Sequence, residues 1–308
     1  MSHDQVDGAS SADGESVGVP GGPSNGPPGN GGDGPAKNYG RAGRNLPAAI
    51  GVGVALGAVV LISLYTLKVT FLVVVLAAVG AAVWELSRAL RHRDIRIPLV
   101  PLGLGGTAML AGAYFDGPRT LAAALALTML ATMIWRIPGG TDGYVRDTTA
   151  GLFAALYVPF LAGFAVLLLT PPDGSDRVVT FIAVTICSDI GGYAAGVLFG
   201  RHKMAPRISP KKTWEGSAGS MLACVVCGGV LLPVLFGGAI WQGVIVGAAA
   251  MLTATAGDLI ESMVKRDLGV KDLGTLLPGH GGVMDRLDSL LATVPIYWLL
   301  MTLFVQPT

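Results

Sequence analysis

The chain has 308 residues, of which 52% are hydrophobic and only 13% charged, about half the charged share of an ordinary soluble domain. That balance excludes a water-soluble fold of this length. The net charge of +1 is uninformative about partners, but the placement of the charges is not.

Residues 1–45 are rich in Gly, Pro, Ser, Asn and Asp. Such a segment buries too little apolar area to offset the entropy of ordering, so a disordered cytoplasmic tail is expected. Its glycines do not recur at every third position, which rules out a collagen helix. Residues 1–13 lack the basic flank and apolar core of a signal peptide, and none is expected.

From residue 46 onward, nine apolar stretches are long enough to cross a bilayer: 46–66, 69–87, 97–115, 119–135, 148–170, 178–200, 217–236, 239–256 and 289–305. Gly- and Pro-containing breakers separate them, except that Lys68 alone interrupts residues 46–87. The expected fold is an all-α integral membrane protein, a polytopic bundle of about nine transmembrane helices spanning residues 46–308. Basic residues alternate with the connections. Eighteen fall on the tail and the even-numbered connections, against Lys68, Arg119 and Arg177 on the other side. The positive-inside rule then places the N-terminus in the cytoplasm and the C-terminus outside. Cys187, Cys224 and Cys227 lie in apolar runs without a second Cys or His pair, and they read as packing residues rather than zinc ligands.

Two even-numbered connections carry more than a topology signal. Residues 200–216 hold Arg201, Lys203, Arg207, Lys211 and Lys212 together with Ser209 and Thr213, a set that suits a polyanion. Charge alone fits a lipid-headgroup anchor equally well, but Pro210, Trp214, Glu215 and Gly216 suggest a shaped loop. Residues 257–289 mix Asp258, Glu261, Asp267, Asp272, Asp285 and Asp288 with Lys265, Arg266, Lys271 and Arg286. Asp258 and Glu261 share a helical face, as do Asp285 and Asp288. Clustered carboxylates are hard oxygen ligands suited to Mg2+. Between the pairs, His280, Gly281 and Gly282 lie in a Gly-rich run whose backbone N–H groups could approach phosphate oxygens.

Asp189, in the middle of the sixth span, is expensive in a bilayer and points to a polar cavity or a structural hydrogen bond. Asp142 and Asp147, at a span edge, are expected to be solvated. Together these residues indicate phosphoryl or nucleotidyl transfer to a lipid at the cytoplasmic face, without choosing the nucleotide. A transporter built around Asp189 is the alternative from another class, but it leaves residues 257–289 unexplained.

Three segments resemble the phosphatidate cytidylyltransferase family. They are Ser262 to Arg266 with Lys271-Asp272 and the run Pro278 to Asp288; Ser209 to Gly216; and Ser188-Asp189 followed by Tyr193. Ile190 stands where the family usually has Thr. The resemblance implies a multi-helix enzyme of the cell inner membrane with its active site facing the cytoplasm. It would join CTP to phosphatidic acid to give CDP-diacylglycerol and pyrophosphate. It also implies a homodimer in contact with membrane lipids, Mg2+ dependence with a second, monovalent cation such as K+, and no nucleic-acid partner. By position, Asp258, Asp285 and Asp288 match the metal site. Lys211, Lys212, Lys265 and Arg286 match the basic residues, and Ser209, Asp189 and His280 match the other motif positions. A related transferase acting on another lipid phosphate or a polyprenol is the nearest alternative.

Overall fold

The structure, a computed structural model, describes residues 46–277 and 281–306. The tail and His280 lie outside the described residues. Among the described residues, ten α-helices follow in chain order: α1 (Leu46–Thr66), α2 (Lys68–Arg91), α3 (Leu99–Phe115), α4 (Pro118–Arg136), α5 (Tyr144–Ala155), α6 (Leu161–Leu169), α7 (Gly174–Phe199), α8 (Trp214–Phe236), α9 (Ile240–Leu268) and α10 (Met284–Phe304). The strands β1 (Lys203–Ala205) and β2 (Ser209–Thr213) form a small antiparallel hairpin between α7 and α8. The hairpin is the one amendment, among the described residues, to the all-α expectation.

The breakers act as their chemistry requires. Pro118 opens α4, where its missing N–H costs nothing. Gly237 and Gly269 end α8 and α9 in the left-handed region, at φ +65° and +71°. Pro159 sits in a π-helical turn, Leu156–Phe160, that joins α5 to α6 as one rod. Proline has no N–H to give the regular helical ladder, and the wider turn absorbs the defect.

Each predicted apolar stretch coincides with a helix. Among the described residues, seven helical rods are long and apolar enough to cross a membrane. The apolar stretches Gly51–Thr66 and Leu99–Phe115 are shorter. Large apolar side chains such as Leu104, Leu127, Val230 and Leu303 are well exposed on the outer helix faces, an arrangement suited to lipid and not to water.

The connections sort onto two faces. On one, Arg93 donates to the carbonyls of Leu268 (3.2 Å) and Asp267 (3.0 Å), the Arg96 N–H donates to Asp147 (3.2 Å), and Arg266 donates to the Ile208 carbonyl (3.4 Å). The α2–α3, α4–α5, hairpin and α9–α10 connections therefore meet there. On the other face, Lys68 bonds to the Pro171 and Pro172 carbonyls, Tyr65 donates to Asp176 (2.7 Å), and Arg177 reaches the Val305 carbonyl (3.3 Å).

Asp147 corrects an expectation. It is not solvated: its side chain is 1% exposed and accepts from Arg136 (3.0 Å), Arg146 (3.2 Å) and the Arg96 backbone. A carboxylate taken out of water needs such partners, and three arginines from two connections supply them.

Two apolar clusters form the interior, and α10 belongs to both. Met284 and Leu291 pack with α2, α3, α5 and α6, while Val294, Tyr297 and Met301 pack with α1, α7, α8 and α9. Small residues bring α7 to α10 close together. A Cβ on Gly191 would lie 2.6 Å from the Gly219 carbonyl oxygen, and one on Gly257 would lie 2.6 Å from that of Asp288. Without an apolar driving force between helices in lipid, close packing of this kind is what holds them.

Candidate active site

The basic segment folds because its turn residues are correctly placed. Pro206 follows Ala205, whose carbonyl accepts the Ile208 N–H at 3.1 Å, so proline occupies the turn position its fixed φ suits. Lys203 pairs with Thr213, and Ala205 with Ser209. Thr213 then caps α8, accepting the Gly216 N–H at 3.1 Å. Glu215 binds the His202 ring at 2.6 Å and its backbone N–H at 3.2 Å, fixing the base of the hairpin to the helix. The outcome is a rigid platform from which Lys212 reaches α9 and forms an ion pair with Asp258.

Opposite stand α9 and the start of α10. Lys265 pairs with Glu261 on its own helix and with Asp285 on α10 at 3.1 Å, tying the two helices together. Asp285 also accepts the N–H groups of Gly282 (2.9 Å) and Leu273 (3.2 Å). Asp288 accepts the Ser289 N–H at 2.7 Å. Leu277 and Gly281 exchange both backbone hydrogen bonds, at 2.9 and 3.1 Å.

These groups enclose a cleft with two adjoining lobes. One, of about 200 Å³, is lined by Lys211, Thr213, Tyr193 and Thr255. The other, of about 320 Å³, is lined by Glu261, Lys265, Asp285, Arg286 and Asp288. Asp189, Lys212 and Asp258 line both. The lobes differ in character. Lysines and hydroxyls in the first suit phosphate oxygens. The second places five carboxyl groups against three cations, a concentration of oxygen donors that suits a divalent cation.

The fit to such a cation is mixed in geometry and favourable in chemistry. Among the described residues, no three His, Cys, Asp or Glu side chains converge on one point. Glu261 Oε1, however, is buried without a hydrogen-bond partner among those residues, and Asp258 and Asp288 line the same lobe. Mg2+ commonly takes one or two carboxylates and completes its shell with water and substrate phosphate, so the donor set fits an ion that arrives with a nucleotide.

Residues 47–304 match the model of the cytidylyltransferase family. The chain belongs to that family. A phosphatidate cytidylyltransferase from Mycobacterium leprae is 42% identical over 287 residues, covering 87% of this chain and 91% of the relative. One from Mycobacterium bovis is 40% identical over 276 residues, covering 85% and 90%. A Brucella suis protein of the same name is 42% identical over 156 residues, covering 48% of this chain and 57% of the relative.

Within this family member, most of the predicted site residues come together. Asp189, Lys212, Asp258, Lys265, Asp285, Arg286 and Asp288 share one lobe, and Lys211 lines its neighbour. Ser209 belongs to the hairpin but lines neither lobe among the described residues. Around the start of α10, the Gly281 N–H donates to the Leu277 carbonyl and the Gly282 N–H to Asp285. Asp285 accepts from Lys265, Leu273 and Gly282 together. Sequence reading missed Glu85, a carboxylate inside an apolar run that is 1% exposed. It also missed Tyr157, whose buried hydroxyl has no partner among the described residues and lies in the field of Asp288, Glu261 and Asp258. A charged residue in a span is a readable signal; a tyrosine in a span is not.

Proposed function

We propose that the protein transfers CMP from CTP to phosphatidic acid, giving CDP-diacylglycerol and pyrophosphate for phospholipid biosynthesis. The observation that carries the reading is the convergence of the lysine-bearing hairpin and the α9–α10 carboxylates on one cleft, in a chain that matches this family over residues 47–304.

A phosphate oxygen of phosphatidic acid attacks the α-phosphorus of CTP in line. The bond from that phosphorus to the bridging oxygen breaks, and pyrophosphate leaves with the electron pair. A phosphomonoester loses its second proton near pH 6, so the nucleophile needs no strong base, and His280 is read as a phosphate contact. Lys211 and Lys212 receive the triphosphate from the hairpin side. Lys265, held by Glu261 and Asp285, faces it from α9, and Arg286 steadies a non-bridging oxygen. Asp258 and Asp288, with Glu261 beside them, would hold Mg2+. When bound, the ion neutralises charge building on the phosphate oxygens. A monovalent cation such as K+ would share the same acidic lobe.

The excess of Lys and Arg on the face bearing the cleft supports a cytoplasmic active site in the cell membrane. The same rule supports nine crossings, with the N-terminus inside and the C-terminus outside. Residues 1–45 are a tail appended to the catalytic domain, and the enzyme is a homodimer by family resemblance.

Pyrophosphate release from CTP by the purified protein tests the reading. Release is expected only with both phosphatidic acid and Mg2+. Release with a polyprenol phosphate instead would reassign the acceptor. Solute flux in proteoliposomes without pyrophosphate release would favour a transporter.

A further inference from the structure

Glu85 stands in α2 among Val, Leu and Ala, with 1% of its surface exposed. A carboxyl group in a membrane helix persists where something satisfies it. Its partners are 191 and 199 residues further along the chain. Oε1 accepts the Leu276 N–H at 3.4 Å, and Oε2 accepts the Met284 N–H at 2.9 Å. Met284 is the first residue of α10, whose own N-cap residue, Val283, offers no side-chain bond. Glu85 therefore caps α10 from across the bundle, supplying an acceptor where the helix has spare donors and where negative charge is favoured.

The loop between α9 and α10 is moulded to the same group. A Cβ on Gly274 would lie 2.0 Å from the Glu85 carboxyl, and one on Gly282 would lie 2.7 Å from its Oε2. Asp285 also grips the loop, through Leu273 and Gly282. Glu85 itself lines a separate cavity of about 300 Å³ with Trp84 and Arg88, which shares no lining residue with either lobe of the cleft.

We propose that Glu85 is a positioning residue for the transfer reaction. It sets the conformation of residues 273–277 and 281–284 and so fixes where α10 presents Asp285, Arg286 and Asp288. It touches no substrate. The inference rests on the proposed cytidylyl transfer, and its test separates the two.

The test uses the full-length protein in nanodiscs, as wild type, Glu85→Ala, Glu85→Gln and Gly274→Ala. Pyrophosphate release is followed beside amide hydrogen exchange over residues 270–284. Glu85→Ala should lower kcat by about 100-fold, the scale of an ångström-sized misplacement, with the KM for CTP changed by less than about threefold. Exchange should rise in residues 270–284 and stay unchanged in α7 and α8. Glu85→Gln, which keeps one acceptor oxygen, should recover part of kcat. Gly274→Ala, which leaves Glu85 in place but crowds it, should reproduce the kcat loss and the local exchange. Wild-type kcat in Glu85→Ala overturns the proposal. So does exchange that rises throughout the bundle in both Glu85→Gln and Gly274→Ala, which would make the residue a general structural support. A wild-type protein that releases no pyrophosphate sinks the reaction, and the exchange pattern alone then decides whether Glu85 sets the loop.

Discussion

Lys212, at the end of the hairpin, is ion-paired with Asp258 on α9 although 46 residues separate them in sequence. Both side chains remain about a quarter exposed, at 25% and 28%, and both line the two lobes of the cleft. An ion pair open to solvent stabilises a fold by little. Its place at the junction of a basic and an acidic lobe indicates a pair held ready to be parted by substrate. Lys212→Ala should lower kcat/KM for CTP by roughly 100-fold or more, the scale of a lost transition-state contact, with little change in thermal stability. The double variant Lys212→Asp, Asp258→Lys restores a salt bridge but reverses the charge each lobe presents. It should stay as inactive as the single variant in a pyrophosphate-release assay. Recovery of activity by the swap would reduce the pair to a structural tie.

Asp285 and Asp288 share a face of α10 but have different work. Asp285 is occupied by Lys265, Gly282 and Leu273, while Asp288 has its Ser289 contact and borders the lobe with five carboxyl groups. Asp285→Asn keeps one acceptor and turns an amide NH2 toward groups that are themselves donors, so Lys265 and the loop lose their anchor together. Turnover should fall by about 1,000-fold in a protein that still inserts and runs as a single species on size exclusion. The Mg2+ concentration giving half of the residual activity should barely move. Near-normal turnover would remove Asp285 from the site.

Chelation should have the opposite signature. With five carboxylates facing three cations in one lobe, removing divalent ions should abolish pyrophosphate release, and adding Mg2+ should restore it. Asp288→Asn and Asp258→Asn should each raise the Mg2+ requirement by about tenfold, consistent with the loss of one carboxylate from a sparsely liganded ion. Full activity in the presence of a strong chelator would leave the acidic lobe without its proposed occupant.

How much of this was legible before the coordinates depends on the kind of signal. Apolar runs with Gly and Pro breakers located the helices, because length and hydropathy decide what spans a bilayer, but they stopped α9 at residue 256, where the charged residues begin, while the helix runs on to Leu268. The charged stretches at residues 200–216 and 257–289 announced the site, since a connector needs neither lysine pairs nor carboxylate pairs. What stayed hidden was partnership. Asp147 sits at a span edge and read as solvated, yet Arg96, Arg136 and Arg146 reach it from two connections and close it off. Nothing in the order of residues shows that the Gly281 N–H donates to Leu277 and the Gly282 N–H to Asp285. Glu85 lies nearly two hundred residues from the loop it supports, a distance at which one sequence carries no pairing information.

Asp147 supplies a prediction about stability alone. Its side chain is 1% exposed, Arg136 is 20% exposed and Arg146 is 51% exposed. It also accepts the Arg96 N–H, so it joins the α2–α3 and α4–α5 connections on the face that bears the cleft, yet it lines neither lobe. Breaking a fully buried pair costs about 3–5 kcal/mol. Here the arginines are left partly in water, which rehydrates them when the carboxylate is removed, so Asp147→Ala should cost less, about 2 kcal/mol. The expected result is a lower midpoint of thermal unfolding in detergent, with kcat and KM for CTP near wild type at a temperature where the variant is folded. Asp147→Asn keeps one acceptor for the Arg96 N–H but loses the charge, and it should fall between wild type and the alanine variant. A large drop in kcat with an unchanged unfolding midpoint would mean that this arginine cluster serves the chemistry and not the fold.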